Sequence, residues 1–178
     1  MDWVTTTDLN STLAVIRKNP DGSANYAFYI DNTADVSLSA EELPEQFPEE
    51  LSALHFGSYS TVLEPTGSAL VTLAQREAAR RVISYDPNIR IAVEPDRAIW
   101  RERFAQFVAV ADFVKASDED IALLFGENQS HDAFAADVLA NGVGAVVVTR
   151  GAEGATVYAA DGRVHRSDPV SVSVADTV

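Results

Sequence analysis

The chain has 178 residues, of which 47% are hydrophobic, enough for one domain with a sizeable core. Its formal net charge of -14 repels the phosphate backbone that supplies most non-specific nucleic-acid affinity, so nucleic acid is excluded as a partner. Without cysteine there is no disulfide, thiolate metal site or cysteine nucleophile; without an apolar run of about 18 residues or an export signal, no membrane partner is expected and the cytoplasm is the expected compartment.

Two β-rich runs, Ser11–Lys18 and Asn25–Ile30, flank the turn residues Asn19-Pro20-Asp21-Gly22-Ser23 and predict a β-hairpin. An acidic, proline-punctuated stretch from Glu41 to Glu50 reads as a solvated connection or a short helix. Beyond it, short apolar runs alternate with helical stretches. Strands are expected at Ala53–Gly57, Val82–Asp86, Phe113–Lys115 and Ala145–Thr149, with helices at Pro65–Arg81, Asp96–Val110, Asp118–Phe125 and Ser130–Ala140. This is the pattern of an α/β fold with a parallel-rich sheet and helices on both faces; the continuously apolar Ala145–Thr149 reads as a strand buried on both sides. Short strands follow at Ala155–Ala159, Val164–Arg166 and Val170–Val174.

In such a sheet, ligands sit outside the carboxyl ends of the strands. There the sequence places Gly57-Ser58, then Asp86-Pro87-Asn88-Ile89-Arg90, then Lys115 to Asp120, then Thr149-Arg150-Gly151-Ala152-Glu153-Gly154. Each has a plain alternative: D-P-N-I-R is also a turn with a surface arginine, S-D-E-D is also a helix N-cap, and the last is also a glycine turn. Their joint occurrence along one sheet edge favours a site. Two glycines three apart let the backbone approach a ligand and point N–H groups at phosphate.

These segments, taken in order with T-x-A-V at Thr12–Val15, Y-x-F-Y…T-A-D at Tyr26–Asp35 and H-F-G-S at His55–Ser58, resemble the ribokinase-like (PfkB-type) sugar kinases, and within them the fructokinases. The resemblance covers nearly the whole chain. It implies a ribokinase-like fold with a partial β lid over residues 1–36 and a partial α/β kinase core over 37–178. The family's second signature is similar to D-T-x-G-A-G-D, of which Asp176-Thr177-Val178 matches the first three positions. The family's catalytic base and the G-A-G anion hole belong to the remaining positions, and its first glycine-rich sugar motif to a segment before Met1. The expectation is therefore an internal fragment or truncated product that is inactive as given.

The resemblance also implies roles residue by residue. Phe28 is the lid residue expected to pack on the sugar, and Ile30, where relatives acting on acid sugars carry arginine, favours a neutral sugar such as fructose. Arg90 matches the position that meets the transferring phosphate, with Asn88 shaping the same floor. Thr149, Gly151 and Gly154 match the nucleotide-binding turn; Arg150 is either added positive charge or a surface residue. Ser117 and Asp120 stand where the family carries N-x-x-E, so Asp120 is expected to reach Mg2+ only through water, and Asp176 matches a K+ position. ATP is the implied cofactor, and homodimerisation through the lid the implied assembly. The competing reading is a truncated or degenerate kinase fold that binds nucleotide or sugar without catalysis. A dehydrogenase-type domain would need G-x-G-x-x-G after an early strand, and no such sequence occurs.

Overall fold

The computed structural model describes residues 4–18 and 24–170. The hairpin turn expected at 19–23, most of the strand expected at Val170–Val174, and Asp176 lie outside the described residues. Strand β1 (Leu13–Lys18) pairs antiparallel with β2 (Ala24–Tyr29), in a register running from Leu13 opposite Tyr29 to Lys18 opposite Ala24. Alternation puts Ala14, Ile16, Tyr26 and Phe28 on one face of the hairpin and Leu13, Val15, Ala27 and Tyr29 on the other. The connection that follows is short 3-10 turns at Ala34–Val36 and Ala40–Glu42, the second closed by a Ser39/Glu42 capping box. The acidic stretch is fixed to the core by Arg81, whose guanidinium donates to the carbonyls of Leu51 (2.7 Å), Phe47 (3.2 Å) and Pro48 (3.3 Å).

Six strands form the main sheet: β3 (Ala53–Gly57), β4 (Val82–Asp86), β5 (Phe113–Ser117), β6 (Ala145–Thr149), β7 (Ala155–Ala159) and β8 (Val164–Ser167). They lie side by side in chain order, parallel from β3 to β6 and antiparallel from β6 to β8. The crossovers carry α1 (Thr66–Glu77), α2 (Arg97–Val108), α3 (Asp118–Phe125) and α4 (His131–Ala140). α1 stops four residues short of the expected Arg81, in a last turn where Glu77 O is shared by the amides of Arg80 (2.9 Å) and Arg81 (3.0 Å).

Right-handed crossovers between strands laid down in chain order put successive helices on the same side. Strand burial agrees: Phe56, Ile83, Tyr85, Val114, Ala116, Val146 and Val148 are buried, while their alternating neighbours His55, Ser84, Phe113, Lys115 and Val147 are half-buried or exposed. Among the described residues, then, helices cover one face of the sheet. β6, expected to be buried on both sides, has only Val146 and Val148 buried, its apolar run notwithstanding. Aromatic packing closes the covered side: the Tyr85 ring stacks on Phe107 of α2 at 4.5 Å, and Phe56 tilts against the same ring at 5.4 Å. No helix among the described residues is long and apolar enough to cross a membrane.

Candidate active site

The strand-end residues Gly57, Asp86, Lys115, Ser117 and Thr149 fall at alternating positions on the uncovered face, opposite the helix layer. Asp86 is their hub. Its Oδ2 accepts from Lys115 Nζ at 3.0 Å, its Oδ1 from the Asn88 amide at 3.2 Å, and its carbonyl from the Ser58 amide at 3.2 Å. The carboxylate thus ties the ends of β4 and β5 together, and its carbonyl holds the turn after β3. The two turns beside it are forced. A Cβ on Gly57 would lie 2.5 Å from Asp86 O, Ser58 sits at φ 62° and ψ -162°, a region otherwise left to glycine, and Asn88 is left-handed at φ 38°. A cleft of about 470 Å³ along the outer edge of β3 is lined by Gly57, Ser58, Ser60, Asp86 and Asn88.

The D-P-N-I-R loop is held from below. Asp120, 5% exposed, accepts from the Ile89 amide on Oδ1 at 2.8 Å, and on Oδ2 from the Ser117 amide at 3.0 Å and the Ser117 hydroxyl at 2.8 Å. Ser117 Oγ in turn accepts from the Asp120 amide at 3.0 Å, so a helix-capping box doubles as a clamp on the neighbouring loop. Both Asp120 oxygens thus accept from the chain's own donors, Oδ1 from one and Oδ2 from two. Among the described residues no group of three or more His, Asp or Glu could hold a metal ion. Arg90 is half-buried and folds its Nη1 back onto the carbonyls of Ile89 (3.1 Å) and Asn88 (3.4 Å).

After β6, the Arg150 amide donates to Gly154 O at 2.8 Å across a 3-10 turn at Gly151–Glu153. The two glycines of this turn do different jobs. Gly151 is left-handed at φ 47° with nothing within 4 Å of a would-be Cβ, a bare backbone open to a ligand. Gly154, at φ 83°, is closed off: a Cβ there would stand 2.1 Å from Ser167 O, so its missing side chain lets the chain after β8 pass. Arg150 pairs with its neighbour Glu153, Nη1 to Oε2 at 3.6 Å. Thr149 pairs with Ser117 across the β5–β6 ladder, which brings the turn beside the capping box of α3.

On the hairpin, Phe28 is half-buried, stacked on Tyr26 at 5.9 Å and edge-on to Tyr59 at 5.7 Å. The structure thus brings Phe28, Asn88 and Arg90 toward the β3 and β4 ends, and Thr149 and Gly151 to the β6 end of the same edge. Asp176 lies outside the described residues. Sequence reasoning put Asp86 at the strand end but missed its bond to Lys115, and it missed the clamp made by Asp120. The first was findable, since a lone aspartate and a lone lysine fall on neighbouring strands at the same edge; the second depends on a contact between residues 31 apart in sequence.

The model of the pfkB family carbohydrate kinases matches residues 2–178. The chain is 42% identical over 168 residues to the fructokinase of Rhizobium leguminosarum bv. trifolii, an alignment covering 94% of this chain and 50% of that protein. Among solved structures it is similar to the ATP-bound fructokinase of Xylella fastidiosa, with a TM-score of 0.82 and 21% identity over 96% of this chain and 53% of that one. It is also similar to a double mutant of the Vibrio cholerae O395 fructokinase in fructose, ADP and potassium ion bound form, with a TM-score of 0.77 and 24% identity over 92% and 52% of the two chains. The chain spans about half the length of the curated relatives it matches. A ribokinase-like sheet and a family match over nearly every residue lead to one conclusion: the chain belongs to the pfkB family of carbohydrate kinases.

Proposed function

We propose that the protein containing these residues is an ATP-dependent sugar kinase that transfers the γ-phosphoryl group to a hydroxyl of fructose or a similar neutral sugar. The observation that carries this reading is the row of polar strand ends on one sheet face, bounded by the Phe28 hairpin on one side and the open Gly151 turn on the other. Phosphoryl transfer asks the protein mainly to position two reactants and to meet spreading negative charge. Phe28 supplies an apolar surface for a sugar ring, Arg90 a guanidinium within reach of the floor, and Thr149 with the bare Gly151 backbone a place for phosphate. Gly154 belongs to the same turn and acts by permitting its shape.

In this reading residues 1–36 act as a lid and 37–178 as part of the kinase core, working in the cytoplasm. Mg2+ enters on the nucleotide, coordinated by phosphate oxygens and water, with Asp120 organising the loop beneath and reaching the ion only through water. K+ is assigned to Asp176. Relatives named fructokinase, one of them crystallised with fructose, support fructose over a sugar acid, as does Ile30 on the lid. The exposed outer hairpin face, with Leu13 57% and Tyr29 62% exposed, favours homodimerisation through the lid. A second reading is a truncated or degenerate kinase fold that binds nucleotide or sugar without catalysis. The test is ADP release by the product of the complete reading frame, with MgATP and fructose. Fructose-dependent turnover that falls about 100-fold or more on Arg90→Ala is expected. Turnover with a sugar acid in place of fructose would overturn the substrate assignment, and no sugar-dependent turnover the activity.

A further inference from the structure

We infer that Asp35 is a positioning residue for this reaction, a latch that sets the β1–β2 hairpin over the carboxyl end of β3. The inference rests on the lid reading given above. Thr12 stands just before β1 and Thr33 just after β2, so the two mark the roots of the hairpin. Asp35 receives a hydrogen bond from the Thr12 hydroxyl on Oδ1 and one from the Tyr59 hydroxyl, at 2.7 Å, on Oδ2. Thr33 Oγ1 lies 2.8 Å from Thr12 Oγ1 and donates to Ile30 O at 2.8 Å, while the Ala34 amide donates to Asn10 O at 2.9 Å. One root of the hairpin thus bonds the carboxylate directly, and the other is held beside it through the Thr12 hydroxyl.

The other end of that carboxylate's contacts is in the core. Tyr59 directly follows Gly57 and the strained Ser58, and its ring receives the edge of Phe28. A continuous path therefore runs from the hairpin roots through Asp35 and Tyr59 to the strand-end floor. Protonation states suit a donor phenol and an acceptor carboxylate. Burial pulls Asp35 upward, but the hydrogen bonds it accepts, those from Thr12 and Tyr59 foremost, outweigh it and hold the carboxyl below its ordinary value. Burial, then the hydrogen bond and charge of Asp35, push Tyr59 up to about 12.

A two-stranded hairpin is marginal by itself, and here Leu13, Val15, Ile16 and Tyr29 are exposed. Asp35 and Thr12 are not core residues, so removing the latch frees the hairpin without opening the sheet.

Amide hydrogen exchange on the 178-residue chain tests this, comparing wild type with Asp35→Asn, Asp35→Ala, Tyr59→Phe and the Asp35→Ala/Tyr59→Phe pair. Expected is a roughly tenfold or greater rise in exchange of the β1 and β2 amides with those of β4, β5 and β6 unmoved, and a double variant no worse than Asp35→Ala alone. Hairpin amides that exchange as in wild type, or sheet amides that speed up equally, would overturn the latch. Fructose titration of the same proteins reads the consequence: wild type binds, and the Asp35 variants bind more weakly by a similar factor. Failure of wild type to bind fructose would count against the sugar reading, while the exchange data still decide the latch.

Discussion

Replacing Asp120 with asparagine removes half of the acceptor capacity that joins α3 to the D-P-N-I-R loop. The native carboxylate takes three hydrogen bonds, from the Ile89 amide, the Ser117 amide and the Ser117 hydroxyl, at 2.8 to 3.0 Å in a site 5% exposed. An asparagine has one acceptor oxygen. If that oxygen keeps the Ser117 donors, its NH2 group faces the buried Ile89 N–H, and two donors confront each other. Hydrogen bonds to a charged group contribute about 1.5–3 kcal/mol each, and an orphaned buried donor costs about 1–3 kcal/mol, so the loss is on the order of 2–4 kcal/mol. In urea unfolding, with a slope of roughly 1–3 kcal/mol per molar, the midpoint falls by about 1–2 M. Glu119→Gln, an exposed acid in the same first turn, should cost only a few tenths of a kcal/mol. An Asp120→Asn midpoint within about 0.3 M of wild type would refute the clamp.

The two glycines after β6 should separate: Gly154→Ala, with its Cβ 2.1 Å from Ser167 O, lowers the thermal midpoint by several degrees, while Gly151→Ala meets open space and costs only about 1 kcal/mol of backbone strain but weakens MgATP binding in a calorimetric titration. Arg81→Ala removes one of the two arginines that pair with the buried Glu77, leaving Arg76 on its other oxygen, and should destabilise the chain by about 1–3 kcal/mol in urea. Tyr59 is raised from 10.0 to about 12, so its neutral form is favoured in the folded state; that contribution is complete below pH 10 and is lost as pH rises to about 12, a fall that Tyr59→Phe should abolish in pH-dependent unfolding. The 178 residues by themselves should give no sugar-dependent ATP turnover, and sugar phosphate in the reaction mixture would contradict this.

The strands were legible because period and punctuation agree: Ala53–Gly57, Val82–Asp86 and Ala145–Thr149 are short apolar runs bounded by turn residues, and each forms as expected. Helix ends were less so. α1 ends at Glu77, where an ion pair between Glu77 and Arg81 and the ring of Phe47 redirect the chain, and none of that is written in the helical period. The uncovered sheet face was illegible in Val147, an apolar residue whose neighbours are set by strand order and not by its own sequence. Polar strand ends announced where a site would lie, but not the division of labour within it. Gly151 and Gly154 look alike in sequence and differ only in what a Cβ would meet. Asp120 looks like a helix cap and a metal residue at once, and only the contact with Ile89 shows where its second oxygen goes.

The most direct measurement is an amide chemical-shift map of the isotopically labelled chain titrated with MgATP and then with fructose. Expected are MgATP shifts at Thr149 to Gly154 and around Asn88 and Arg90, followed by fructose shifts at Phe28 and Asn88. Shifts confined to other surfaces, such as the apolar cavity between α2 and α4 lined by Phe104 and Phe134, would contradict a kinase site at the strand ends.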